Sequence, residues 1–239
     1  KSLVLTDLPD KIRQVNTCEI TNRKEYMDAE RDLIMYLQKY KDADDDKIAK
    51  AMRGEVMVRI NILRQISARG KVRDVIEFVK DFRENGKKII LFCSLHEVVD
   101  QLKRYFPTAV SVTGRDSQDE KQRAVDAFQN NPKADIIICS IKAAGVGLTL
   151  TASSNVAFVE FPWTYADCCQ CEDRAHRIGQ KDSVTCYYFL GRRTIDEKVY
   201  RIIQEKKNIA NAVTGSTEDI EENIVDMVAR IFDTDYDDE

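Results

Sequence analysis

Two hydrophobic rhythms divide the chain. Through about residue 70 the apolar positions recur at helical spacing. Tyr26, Ala29, Leu33, Leu37 and Tyr40 form one stripe, and it opens on Asn22 with Glu25 three residues later, the arrangement of a capping box. The acidic run at 42–46 interrupts the stripe. Met52, Val56, Ile60 and Leu63 then predict a second helix that ends near Gly70. Ahead of both, residues 1–20 read as a short extended stretch, with LPDK at 8–11 and alternation through VNTCEI.

Beyond residue 70 the rhythm changes. KKIILFC (87–93), ADIIIC (134–139), VAFVE (156–160) and VTCYYFL (184–190) are continuous apolar runs, the signature of strands covered on both faces, and AVSV (109–112) is a shorter one. Between them lie helical stripes: Leu95, Val98, Val99, Leu102 and Phe106, then a segment through Phe128 capped by Ser117 and Glu120. Strands alternating with helices predict an α/β fold, a parallel sheet flanked by helices. Ligands of such sheets bind beyond the carboxyl ends of the strands, here after Cys93, Val112, Cys139, Glu160 and Leu190. Thr194 and Glu197 cap a following helix with Ile195, Val199, Ile202 and Ile203 on one side, and Ile220, Ile224, Met227, Val228 and Ile231 mark a last one.

Composition narrows the class. The 239 residues are 43% hydrophobic and 33% charged, as in a globular chain. No apolar run approaches the roughly 20 residues of a membrane span, so no membrane partner is expected. The chain opens on Lys1 and is expected to be a piece of a longer protein. Seven cysteines, two of them (Cys93 and Cys139) inside apolar runs, indicate reduced thiols and an intracellular setting. Cys168, Cys169 and Cys171 lack a second ligand pair at zinc spacing, so packing is expected and no metal site. The net charge of −4 does not announce a nucleic-acid binder, although much of the acid is confined to 42–46 and the C-terminus.

Two motifs sit at predicted strand ends. In QCEDRAHRIGQ (170–180), a helix would place Gln170, Arg174 and Arg177 on one face, two guanidinium forks beside an amide, suited to phosphate oxygens. The plainer alternative is that the arginines pair with Glu172 and Asp173. His176 stands four residues after Glu172, within pairing reach on a helix. In CSIKAAGVGLTLT (139–151), the small residues Ala143, Ala144, Gly145 and Gly147 let backbone N–H groups approach a ligand.

Taken with ILFCS (90–94), TGRDSQDEKQRAVDAFQ (113–129) and EFPWTYADCCQCEDRAHRIGQ (160–180), these motifs resemble, in order and spacing, the second motor lobe of the Swi/Snf family of DNA-dependent ATPases, helicase-like motors of superfamily two. The likeness runs from LPDK through TIDEKVYRIIQEKK and is greatest to the branch of annealing helicases and fork remodellers. It implies a RecA-like helicase lobe at 71–190, preceded by an extended lead-in and helical protrusion at 1–70 and followed by brace helices at 191–239.

It also implies roles. Arg174 and Arg177 would be arginine fingers, positioned by Gln170. Gly145, Gly147 and Gln180 would line the nucleotide side. Ser94, Gly114, Arg115, Arg123, Ser140 and Lys142 would follow the DNA strand, and Trp163 would brace the inter-lobe face. Lys142 stands where many members have Thr, and Thr164-Tyr165 replaces a frequent Asn-Pro. No G-x-x-x-x-G-K-[ST] loop occurs, since GKV at 70–72 and GKK at 86–88 do not fit. ATP and Mg2+ are therefore expected to be held mainly by a first RecA-like lobe ahead of Lys1, and the partner to be duplex or forked DNA bound without sequence preference. The setting would be the nucleus in a eukaryote or the cytoplasm in a bacterium. A regulatory module that kept the fold without the motor, or an RNA helicase lobe, are the competing readings.

Overall fold

The computed structural model describes residues 8–41, 46–144, 147–206, 224–230 and 232. The chain divides into two compact units, one of Lys1–Glu19 with Lys71–Leu190, the other of Ile20–Gly70 with Gly191–Glu239.

The first unit is built on a six-stranded sheet. Its strands are β1 (Lys11–Cys18), β2 (Ile89–Phe92), β3 (Val110–Val112), β4 (Ile136–Cys139), β5 (Asn155–Phe158) and β6 (Val184–Gly191), in spatial order β1-β6-β5-β2-β4-β3. All residues of β2 and β4 are buried, as their unbroken aliphatic runs require. β2 pairs in parallel with β4 on one side (Leu91 opposite Ile138) and with β5 on the other (Leu91 opposite Ala157). β3 extends the sheet beyond β4 and β6 extends it beyond β5, both in parallel. Every loop that leaves these strands therefore emerges at one edge. The lead-in expected to belong with residues up to 70 supplies β1 instead, because its backbone finds an unfilled edge at β6.

An aromatic row crosses one face of the sheet. Phe92 stacks on Phe158 (5.1 Å between ring centroids), and Phe158 on Tyr188 (4.6 Å). Phe78 packs edge-on against Tyr187 and Phe189, whose side chains leave β6 on the opposite side. The helices α3 (His96–Tyr105), α4 (Gln118–Asn130), α5 (Ile141–Ala144) and α6 (Tyr165–Glu172) follow β2, β3, β4 and β5 in turn. Ser117 and Glu120 make the reciprocal capping box at α4. Lys71 is buried, and its ammonium bonds the carbonyls of Val159 and Phe189 (2.7 and 2.8 Å) just past the ends of β5 and within β6.

The second unit contains α1 (Arg23–Lys41), the first part of α2 (Asp46–Glu84), α7 (Ile195–Lys206) and a helical segment at 224–230. Ile220 and Ile231 lie outside the described residues. Tyr26, Leu33, Leu37, Val56, Ile60 and Leu63 are buried, as the stripes predict. The expected helix end at Gly70 does not occur: α2 runs 39 residues straight through it. Gly70 serves close approach rather than termination. Thr21 N–H and hydroxyl both bond its carbonyl (3.1 and 3.4 Å), and a Cβ there would overlap Asn22 Oδ1 and the Ile20 side chain. At the start of α7, the Asp196 carboxylate accepts from Ser67 Oγ (2.7 Å) and Gly191 N (3.0 Å), and Tyr26 Oη accepts from Ile195 N (2.6 Å).

Gly70→Ala, which raises intrinsic helix propensity, is expected to destabilise the protein by about 1–3 kcal/mol through overpacking. Denaturant unfolding checks this; an unchanged or higher midpoint would remove the close-approach explanation.

Candidate functional site

The site lies wholly in the first unit: Arg174, Arg177 and Gln180 follow the end of α6 and sit against the segment that leads into β5. α6 starts at the Thr164 cap, whose hydroxyl accepts from Asp167 N (3.1 Å), and it ends at Glu172. The shared helical face expected for Gln170, Arg174 and Arg177 is therefore not formed. Gln170 is on the exposed side of α6, and both arginines stand on tight turns beyond it. The reason is where the carbonyls go. Arg174 O accepts from Leu150 N (2.9 Å) and Ala175 O accepts from the Gln180 side chain (3.2 Å), so neither continues a helical ladder. Gly179, at φ 102°, takes a backbone conformation open to glycine and turns the chain away.

Gln180 stitches this segment to the glycine-rich loop. Its amide nitrogen also donates to Thr151 O (3.4 Å) and Ser153 O (2.9 Å), while its oxygen accepts from Lys181 N and Asp182 N. QCEDRAHRIGQ and AAGVGLTLT are thereby held as one surface. Gly147 lies there at φ 74° with open space around it, and Gly145 lies outside the described residues.

The carboxylates beside the arginines are taken from elsewhere. Glu172 is fully buried and receives a bidentate pair from Arg13 (Nε to Oε1 2.7 Å, Nη2 to Oε2 2.6 Å), Lys11 Nζ at 3.1 Å and the Tyr188 hydroxyl at 2.8 Å. Lys11 also reaches Asp173 Oδ1 (2.8 Å). Burial pushes the Glu172 carboxyl up, but the Arg13 pair and Lys11 outweigh it and leave it below the usual range. Arg13 is correspondingly raised by its bonds to Glu172. The pairing of His176 with Glu172 that the spacing allows does not form. With the carboxylate already saturated, the His176 ring sits on Pro9 O (Nε2 at 2.7 Å) and at 4.0 Å from Asp173.

Arg174 is only 8% exposed, and its Nε is buried without a hydrogen-bond partner. Burial and the neighbouring Arg177 charge both lower its pKa. Arg177 is exposed; its Nη1 donates to Gly147 O (3.2 Å), Leu148 O (3.1 Å) and Thr149 Oγ1 (3.2 Å). Among the described residues, no carboxylate is bonded to either guanidinium. A buried, unpaired donor on a cation is costly, and Arg174 carries one beside the exposed charge of Arg177.

The residues expected along a DNA strand follow the carboxyl ends of β2 to β5, except Arg123 within α4, and differ in how they are held. Ser94 is exposed, and its N–H, with that of Leu95, donates to Glu160 Oε2 (2.8 and 2.7 Å). Glu160 thus ties the turn ahead of α3 to the end of β5. Gly114 is open to solvent. Arg115 is forked onto Asp100 of α3 (2.6 and 3.1 Å) rather than standing free. Arg123 and Lys142 are exposed, Ser140 is buried and accepts from Ala143 N, and Trp163 is half-buried. The contributions of Lys11, Arg13, Asp100 and Glu160 escaped the sequence reading. Only Lys11-Ile12-Arg13 carried a signal: in an extended chain, alternate residues share a side.

A family model, the helicase conserved C-terminal domain, matches residues 70–179. The Xenopus tropicalis SWI/SNF-related matrix-associated actin-dependent regulator of chromatin subfamily A-like protein 1 is 33% identical over 145 residues, 59% of this chain and 15% of its own length. Human DNA annealing helicase and endonuclease ZRANB3 is 30% identical over 227 residues, 91% of this chain and 20% of its own. The chain thus spans about a fifth or less of these relatives. The Sulfolobus solfataricus SWI2/SNF2 ATPase core in complex with dsDNA superposes with a TM-score of 0.70 at 21% identity, covering 93% of this chain and 50% of that one. The C-terminal domain of the same ATPase gives 0.67 at 20% identity, covering 89% and 94%. The fold is a RecA-like helicase C-terminal lobe. The chain belongs to the Swi/Snf family of helicase-like proteins.

The Glu172 cluster sets an acid limit. Its folded pKa lies below the unfolded value of about 4.3, so its stabilisation is complete above that pH and fades as pH falls through the lower folded value. Thermal unfolding from pH 7 to 3 should show a shallower acid decline for Glu172→Gln than for the wild type. Parallel declines would place the acid sensitivity elsewhere.

Proposed function

We propose that this chain is the second motor lobe of an ATP-dependent DNA translocase or remodeller, and that Arg174 and Arg177 are its arginine fingers. The observation that carries the reading is the buried Arg174 guanidinium with an unpartnered Nε beside exposed Arg177, the adjacent carboxylates being held by Lys11 and Arg13. The substrate is ATP, presented by a first lobe that also holds Mg2+. Arg174 and Arg177 neutralise charge as it spreads over the transferring γ-phosphoryl group. Gln180 and Gly147 keep the loop behind them in place, and Gln170, at the exposed side of α6, faces the approaching nucleotide. The chain alone would hydrolyse ATP negligibly.

DNA is the partner on the remaining strand ends. Ser94, Gly114, Arg123, Ser140 and Lys142 line the backbone track, with Arg115 joining once a phosphate displaces Asp100. Trp163 braces the inter-lobe face. Cyclic closure of two lobes on ATP and reopening after hydrolysis moves the protein along the duplex. Phosphate contacts carry no sequence information, so binding is sequence-tolerant and falls steeply with salt. The name of the human relative, a DNA annealing helicase and endonuclease, supports forked or partly unpaired duplex as the substrate over an RNA strand.

In the intact protein, Arg177→Ala should lower ATP turnover on the order of 10³-fold or more while nucleotide affinity changes far less. Steady-state ATPase rates and equilibrium nucleotide binding test this, and an unimpaired rate ends the finger assignment. Stimulation by forked DNA rather than RNA supports the motor reading; RNA alone stimulating would replace it with an RNA helicase.

A further inference from the structure

We infer that Arg13 and Lys11 on β1 are positioning residues for the two site arginines, holding Glu172 and Asp173 so that neither carboxylate quenches Arg174 or Arg177. The inference rests on the finger reading above and extends it to a strand outside the residues that the family model matches.

The argument begins with local competition. Glu172 and Asp173 directly precede Arg174, and turns place groups two to four residues apart within reach of one another. Asp173 and Arg177 stand four apart and Glu172 and His176 likewise, spacings at which opposite charges pair on a helix. Left to themselves, these carboxylates are the nearest counter-charges for the arginines. An arginine already forked onto its own chain's carboxylate has fewer donors and less uncompensated charge to offer a phosphate.

β1 removes that competition. Lys11 and Arg13 alternate along the strand and so share one side of it. Arg13 occupies both oxygens of Glu172, and Lys11 bridges Glu172 to Asp173, so two cations answer two anions. The guanidinium of Arg13 also lies 5.3 Å from the Tyr165 ring centroid and bonds Cys169 Sγ at 3.6 Å. Arg13 therefore grips α6 at its first residue, its middle and its last. The last of these is the point where the arginine turns begin, since Glu172 O accepts from both Ala175 N and His176 N (3.1 Å each). From the sheet side, Tyr188 closes the fourth bond to the same carboxylate. The place of Arg174 in space follows from where Glu172 is pinned.

The test uses the full-length protein with saturating forked DNA, at a temperature where circular dichroism shows each variant folded. Arg13→Gln is expected to lower kcat at least tenfold with KM for ATP within about twofold, because the nucleotide is gripped elsewhere. Adding Glu172→Gln to that variant should restore at least half of the lost activity on a logarithmic scale, since the freed carboxylate is then gone without the ion pair being rebuilt. Arg13→Lys should fall between. A folded Arg13→Gln protein with wild-type kcat overturns the inference, as does a double variant that regains thermal stability but no turnover. If Arg13→Gln does not fold, Lys11→Gln carries the test, with a three- to tenfold loss expected and an unchanged kcat overturning it. Arg174→Ala is measured alongside. Full activity there sinks the finger reading and this inference with it, whereas an inactive Arg174→Ala beside a fully active Arg13→Gln sinks the positioning role alone.

Discussion

A buried carboxylate with four donors organises the working edge of this protein. Glu172 has no exposure to water, and its charge survives burial because Arg13, Lys11 and Tyr188 surround it. Such a cluster is weak evidence for net stability, because desolvation offsets much of the attraction. Its value is geometric. It joins the edge strand, the aromatic row across the sheet and the end of α6 at one point, and the arginine turn grows directly from that point.

The consequence is a division of labour between neighbouring charges. Within six residues of chain, Glu172 and Asp173 are paired with cations and Arg174 and Arg177 are not paired with carboxylates. Sequence proximity alone would favour the opposite outcome. Carbonyl bookkeeping reinforces the separation: Arg174 O is bonded to Leu150 and Ala175 O to Gln180, which breaks the helix and anchors both arginine-bearing turns to the glycine-rich loop. The site is held by its backbone and by its supporting side chains, leaving the guanidinium groups available.

The sheet and most helices were legible in the sequence because burial on both faces leaves a plain mark. Four unbroken apolar runs became β2, β4, β5 and β6 with boundaries shifted by one or two residues. Legibility failed where a residue's reason is tertiary. Gly70 looked like a helix terminator but is a contact point for Ile20 and Asn22, which lie far from it in sequence. The arginines looked helical because their spacing is helical, yet distant acceptors and donors claimed the backbone groups that a helix would need. Lys11 and Arg13 carried only an alternation, with nothing to announce their partner about 160 residues away.

The edge strand has a bearing on how the lobe is dissected. The segment matched by the helicase domain, 70–179, omits both β1 and β6, the two strands that end the sheet beside β5. A fragment trimmed to those limits would expose the whole hydrogen-bonding rim of β5, an invitation to strand addition and aggregation. It would also strip Glu172 of Lys11, Arg13 and Tyr188, its partners. Any version of this lobe meant to stay monomeric in a test tube has to begin before Lys11 and continue past Gly191.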